Sequence, residues 1–168
     1  MWFFIGSIII LLNNTTWNNM KSLFNPTDNN EILNRINTLA PNVAPQWGKM
    51  QADQMLAHCH VAMQTAFGDV KLKRSLMGIF IGGIAKKQLI GSKPFKRNLP
   101  TDKHFVIHER HNFDEEKGKL TGLVKRFVQQ GRSAISSDPH PFFGKLTVDE
   151  WDNLMWKHLD HHLRQFGA

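Results

Sequence analysis

The sequence predicts an all-α protein, a bundle of four long amphipathic helices with two long connections. Apolar residues recur at helical spacing in four stretches, and Pro and Gly punctuate the chain between them. No segment alternates apolar and polar residues over a useful strand length, and there is no internal repeat or low-complexity tract. With 168 residues and 41% apolar composition, the chain can bury a real core as one domain.

The first helix is expected over residues 28–39, with Asp28 as its cap and Glu31 three residues on. Its stripe is Ile32, Ile36 and Leu39, with Leu33 beside it. A loop rich in Pro follows, from Ala40 to Trp47. The second helix is expected over residues 50–67, where Met55, Cys59, Ala62, Met63 and Ala66 share a face. Gly68 ends it by providing a left-handed cap without a Cβ clash.

Residues 74–90 are apolar and interrupted by Gly78, Gly82 and Gly83, which predicts one or two short helices over an end of the core. The glycines and the Lys86-Lys87 edge argue against a membrane span. Residues 91–111 contain Pro94 and Pro100 and show no periodicity. A loop of that length in a small domain is usually functional, and it is expected beside the site proposed below. The third long helix is expected over residues 113–130, capped by Asn112 with Glu115 at the third position. Leu120, Leu123, Val124, Phe127 and Val128 make its core face. Residues 131–145 lead to a last helix over 147–166, where Thr147 and Glu150 form the T-x-x-E of a capping box.

That last helix carries the chemistry. At about 100° per residue, Trp151, Leu154, Met155, Leu159 and Phe166 gather on one face, and His158 and His162 fall at its centre. Two adjacent imidazoles on a buried face need partners, because an unpaired buried polar group costs about 1–3 kcal/mol. A metal ion satisfies both at once. His161 lies toward the edge of the stripe, and Asp160 points away from the core.

Composition restricts what else can take part. The lone Cys59 excludes an internal disulfide and every Cys-cluster zinc site, so a metal must use His, with or without carboxylates. It also fits a reducing, cytoplasmic compartment. Cys59 falls on the core stripe of its helix and reads as a small buried hydrophobe. Lys and Arg number 21 against 14 Asp and Glu, but the positive charges are spread along the chain with no nucleic-acid signature, which predicts a basic solvated surface. The apolar run at residues 2–12 is too short to span a bilayer, which needs about 20 residues. It is read as an extension outside the fold, covering residues 1–19, with a weak membrane anchor or a docked segment as alternatives; the domain proper is expected over 20–168.

Two histidines hold a metal poorly, whereas three make a site with an open position. On the second helix His58 and His60 lie about 90° and 110° from the middle of the stripe, on opposite flanks, so spacing does not choose between them. His140, held between Pro139 and Pro141, is a further possibility and the one catalytic candidate, against a plain turn role. His104, His108 and His111 sit in the long loop.

Several segments together resemble the DinB/YfiT-like metalloenzyme superfamily, in a branch of unknown function. They are Gln46-Trp-Gly-Lys-Met50, Gln54-Met-Leu-Ala-His-Cys59, Lys93-Pro-Phe95, His140-Pro-Phe-Phe-Gly-Lys-Leu-Thr147, Glu150-Trp151, and His158-Leu-Asp-His-His-Leu-Arg-Gln-Phe166. The likeness covers about residues 20–168; residues 1–19 have no counterpart, and residues 50–52 lack the expected Ser or Thr cap. It implies a DinB-like four-helix bundle with a short extra helical segment and a metal at one end of its core. By the resemblance His58 is the ligand from the second helix, and His158 and His162 are the pair from the last.

Three neutral imidazoles suit Zn, Ni or Fe, and their divalent ion would make a nucleophile of water or of a small thiol near neutral pH. The resemblance therefore implies a metal-dependent enzyme, a thiol S-transferase or a hydrolase. The rival reading is a non-catalytic binding or stress-associated module with a structural metal or none, in which His60 or His140 completes the ligand set. The expected partner is a small molecule, with an anionic thiol held by Lys93, Lys96 and Arg97 as one form. Nucleic acid and membrane are not expected partners, and a homodimer is left open.

Overall fold

The computed structural model describes residues 20–89, 91 and 93–168. The extension over residues 1–19, with its apolar run, lies outside the described residues. The described residues form five α-helices: α1 Pro26–Thr38, α2 Ala52–Phe67, α3 Leu76–Leu89, α4 Phe113–Gln130 and α5 Val148–Gln165. Among the described residues there is no strand, only an isolated bridge between His140 and Gly144. The fold is all-α.

The four long helices form the bundle. Helix α2 packs against α4 and α5, and α1 packs against the same pair from the opposite side. Between them lies one core that includes Ile32, Ile36, Met55, Leu56, Met63, Leu120, Val124, Phe127, Trp151, Leu159 and Leu163, all fully buried. The core face of α4 is narrower than the periodicity suggests. Leu120, Val124 and Phe127 are buried, whereas Val128 turns out to solvent at 41% exposure. It falls about 100° round the helix from Phe127, past the edge of the buried stripe.

Two helix starts differ from expectation. Helix α1 begins at Pro26, and its cap is Asn25, whose side chain accepts the N–H groups of Thr27 and Asp28. Pro at the first position loses no hydrogen bond and presets the helical φ, so the helix starts upstream of Asp28. Asp28 accepts the N–H of Ser22 and pairs with Lys21. Helix α2 begins at Ala52, after Gln51, whose N–H donates to the Gln54 side chain at 2.9 Å. The other ends behave as read. Gly68 closes α2 at φ 76°, the Asn112 and Thr147 side chains accept the N–H groups of Glu115 and Glu150, and the Thr147 N–H donates back to the Glu150 carboxylate, which completes the capping box.

Buried polar side chains fasten the chain between helices to the bundle. Asp152 accepts the hydroxyl of Ser22 and the N–H of Leu23. Asn29 donates to the carbonyls of Leu23 and Val124. Asp53 accepts from Arg110 and from the N–H of His111, which ties the end of the long loop to the start of α2. Desolvation is the largest single effect on the Asp53 carboxyl and raises its pKa, but the Arg110 guanidinium and that N–H together outweigh it and hold the carboxyl below its usual range. No helix among the described residues is long and apolar enough to cross a membrane.

Candidate metal centre

His58 comes from α2, and His158 and His162 from α5. Their three rings form a nearly equilateral cluster, with centroids 4.8, 4.8 and 4.7 Å apart. One ligand nitrogen from each lies within 4.8 Å of the others, a wider limit than the roughly 3–4 Å between nitrogens that sit about 2.0–2.1 Å from one ion. The closest pair, His58 Nε2 and His158 Nε2, is 2.9 Å apart. Among the described residues this is the group of His, Cys, Asp and Glu able to hold a metal.

Neighbouring carbonyl groups fix which nitrogens face inward. His58 Nδ1 is 2.8 Å from the Phe105 carbonyl, which only accepts, so Nδ1 carries the hydrogen and Nε2 the lone pair. His162 Nδ1 is 2.8 Å from Gln165 Oε1. The amide of Gln165 is oriented in turn, because its Nε2 donates to the Trp47 carbonyl at 2.7 Å. His162 Nδ1 is therefore a donor as well, and its Nε2 lone pair is free. Imidazoles in metal sites are held by outer acceptors of this kind, which fix tautomer and ring angle. His158 differs: its Nδ1 is buried without a hydrogen-bond partner among the described residues. With the His58 Nε2 lone pair opposite, His158 Nε2 holds the hydrogen of the 2.9 Å contact.

Burial keeps all three rings neutral. It is the largest effect lowering each of their pKa values. For His158 and His162 the neighbouring imidazoles add to it, while the acceptors beside His58 and His162 partly oppose it. Neutral imidazole is the form that ligates a divalent ion. The donor set, its desolvation and the lone pairs fixed on His58 and His162 fit such an ion, which His158 would join in the tautomer that carries its hydrogen on the unpartnered Nδ1.

The cluster opens on a cavity of about 580 Å³. Its walls are largely apolar, including Trp47, Phe95, Leu99, Phe105, Phe143, Leu154 and Met155. The long loop covers this end of the bundle, as its length led us to expect, with Phe95, Leu99, Phe105 and Ile107 facing the cavity. A second cavity of about 330 Å³ shares Trp47, Phe95 and His161 and adds Arg97 and Arg164. Of the three loop cations read as an acid-binding group, only Arg97 lines either cavity, its guanidinium 4.3 Å over the Trp47 ring. Lys93 and Lys96 are exposed.

His140 also lines the main cavity, and its setting explains the His-Pro-Phe-Phe-Gly segment. His140 and Gly144 exchange backbone hydrogen bonds of 2.8 and 3.0 Å across a tight turn, and Gly144 takes φ 77°, where glycine is favoured. Inside the turn, His140 Nδ1 accepts the N–H groups of Phe142 and Phe143 at 3.0 and 3.2 Å. The hydrogen therefore sits on Nε2. The ring lies against Phe105, Phe143 and Trp151, and its pKa is pushed down to about 3, by burial above all, with Arg74 adding and Asp102 opposing.

The remaining candidates lie elsewhere. His60 points to the α2–α4 side, where Nδ1 meets Glu116 at 3.1 Å, so neither it nor His140 joins the three-histidine group. Asp160 pairs with Arg35 of α1 at 2.9 Å, an inter-helix contact. His161 is half-buried on the cavity wall beside Trp47 and Phe95. Cys59 is fully buried, and burial pushes its thiol far above the usual range. Gln165 and the Phe105 carbonyl went unread in the sequence. Gln165 was within reach, since it follows His162 by one helical turn; a backbone carbonyl in a loop leaves no sequence signal.

Residues 17–168 match the family described as "Protein of unknown function (DUF1569)". The chain belongs to this family. No curated protein and no solved structure matches it. The DUF1569 match includes the three histidines, the His140 turn and the Trp47 loop, so the whole site lies within the family domain.

Proposed function

We propose that this DUF1569 chain is a metal-dependent enzyme of the DinB/YfiT-like kind, with His58, His158 and His162 holding one divalent ion. The observation that carries the reading is the fixed tautomer of His58 and His162. Each ring spends its Nδ1 hydrogen on a protein carbonyl, which leaves both Nε2 lone pairs free within one cluster, that of His58 2.9 Å from His158 Nε2. A bundle that needed the rings only for packing would have no use for two such lone pairs held in a cluster of three imidazoles. Three ligands with no fourth side chain among the described residues suit an open, catalytic kind of site.

When bound, such an ion supplies a nucleophile at neutral pH, from water or from a small thiol, for hydrolysis or S-transfer. The chain's own residues provide the rest. Trp47, Phe95, Leu99 and Phe105 surround an apolar substrate body and exclude bulk water. His140 offers its Nε2–H as a neutral donor to an oxygen of the substrate; its Nδ1 is occupied by two backbone amides and its ring stays uncharged. Arg97, in the adjoining polar cavity, is placed for a carboxylate.

Metal analysis of the purified chain tests the reading. Near-stoichiometric Zn, Ni or Fe is expected in the parent, with loss in both His158→Ala and His162→Ala. A parent that is metal-free and cannot be reloaded by any of the three would end it.

A further inference from the structure

Helix α3 is built inside out. Its small residues face the protein and its large apolar residues face solvent. A Cβ on Gly78 would come within 2.6 Å of the Phe142 carbonyl oxygen, and one on Gly82 within 2.1 Å, so the helix rests directly on the backbone of the His140 turn. On the other side Leu76 is 75% exposed, Met77 62%, Phe80 81% and Ile84 66%. At about 100° per residue these four fall on one continuous strip. A surface helix of a globular protein shows the opposite arrangement, and contiguous exposed apolar residues mark an interaction face.

Charge identifies the partner. Between Asp69 and Asp102 the chain has eight Lys and Arg and no acidic residue, while the rest carries 13 Lys and Arg against all 14 Asp and Glu. The whole positive excess is thus gathered on α3 and its flanks, although along the sequence it looked spread out. Lys73 and Arg74 precede the helix and Lys86 and Lys87 end it. Lys86 is paired with Glu150, but Lys73 and Lys87 are exposed.

We infer that the strip docks in the plane of an anionic lipid surface, with Leu76, Phe80 and Ile84 entering the interface and the flanking cations meeting the headgroups. An exposed apolar strip with cations at both ends gains from apolar burial and from surface charge together. A second copy of the chain is the poorer occupant, because both ends of α3 are basic and either orientation of two strips sets cation against cation. A nucleic acid would use the charges and leave the apolar strip in water.

Co-sedimentation of the full chain with vesicles decides it. Binding is expected to phosphatidylcholine vesicles containing phosphatidylglycerol, weakened by salt and nearly lost on phosphatidylcholine alone. The Phe80→Glu/Ile84→Glu double variant, both positions exposed and therefore compatible with the fold, is expected to bind at least tenfold more weakly. The inference fails if the parent ignores anionic vesicles. It fails equally if the double variant binds as the parent does, which would move the contact to residues 2–12, or if the parent is a dimer in solution that the double variant breaks.

Discussion

Gln165 Oε1 lies 2.8 Å from His162 Nδ1, and the same amide donates to the carbonyl of Trp47. One side chain therefore sets the tautomer of a proposed ligand and fastens the loop that forms a wall of the cavity. Gly48, next in that loop, takes φ 81°, and a Cβ there would come within 2.6 Å of Gln165 Nε2. The Gln-Trp-Gly segment and the end of α5 are in this sense one unit.

Gln165→Leu keeps the volume and removes both hydrogen bonds. The His162 ring then loses the acceptor that fixes it, and metal affinity is expected to fall about 10- to 100-fold. Competition against a chelating dye with added Zn measures the change. Gln165→Glu still accepts from His162 but has no donor for Trp47, so its loss should be smaller. Equal affinity of Gln165→Leu and the parent would show that the outer hydrogen bond does not tune the site.

His140 predicts an acid sensitivity with a definite sign. Its folded pKa of about 3 lies below the unfolded value near 6.5, so the unfolded chain binds the extra proton. The corresponding stability is fully present above about pH 6.5 and is lost as the pH falls toward 3. His140→Asn retains an oxygen that can accept the N–H groups of residues 142 and 143, as an Asx turn does, yet does not titrate. Thermal melts between pH 6.5 and 4 should therefore fall less steeply in the variant, by up to about 1.4 kcal/mol per pH unit. His58, His158 and His162 add slope of the same sign to both proteins, so the variant's slope shrinks without vanishing. Parallel slopes would mean that His140 is not held neutral by the fold.

The parts of this fold that follow from local rules were legible in the sequence. The caps at Asn112 and Thr147 and the stop at Gly68 needed only neighbours within one turn. The i, i+4 spacing of His158 and His162 also fixed their shared face. Long-range geometry was not legible. Nothing in the spacing separated His58 from His60; packing does, because α2 turns His58 toward α5 and His60 toward Glu116 of α4. The Phe105 carbonyl acts through the loop's path, and although the cations over residues 70–101 can be counted in the sequence, their junction with an exposed apolar strip emerges only once α3 is seen to lie on the surface with its glycines inward.

Those glycines give the last prediction, a contrast between neighbours. Gly82 meets the Phe142 carbonyl, whereas a Cβ on Gly83 would find nothing within 4 Å. Gly82→Ala must push α3 off a backbone atom that cannot rotate away. Because α3 lies on the surface of the bundle, the strain should appear as local opening. Amide exchange along residues 76–87 is expected to quicken by about tenfold or more, at about 1.4 kcal/mol per decade, while the amides of α4 keep their protection. Gly83→Ala has the opposite sign: it lowers the freedom of the unfolded chain and favours helix, so by about 0.4–1 kcal/mol the same amides should exchange more slowly. If both variants exchange alike, α3 does not rest on the His140 turn through Gly82, and the outward face inferred for Phe80 and Ile84 loses its structural basis.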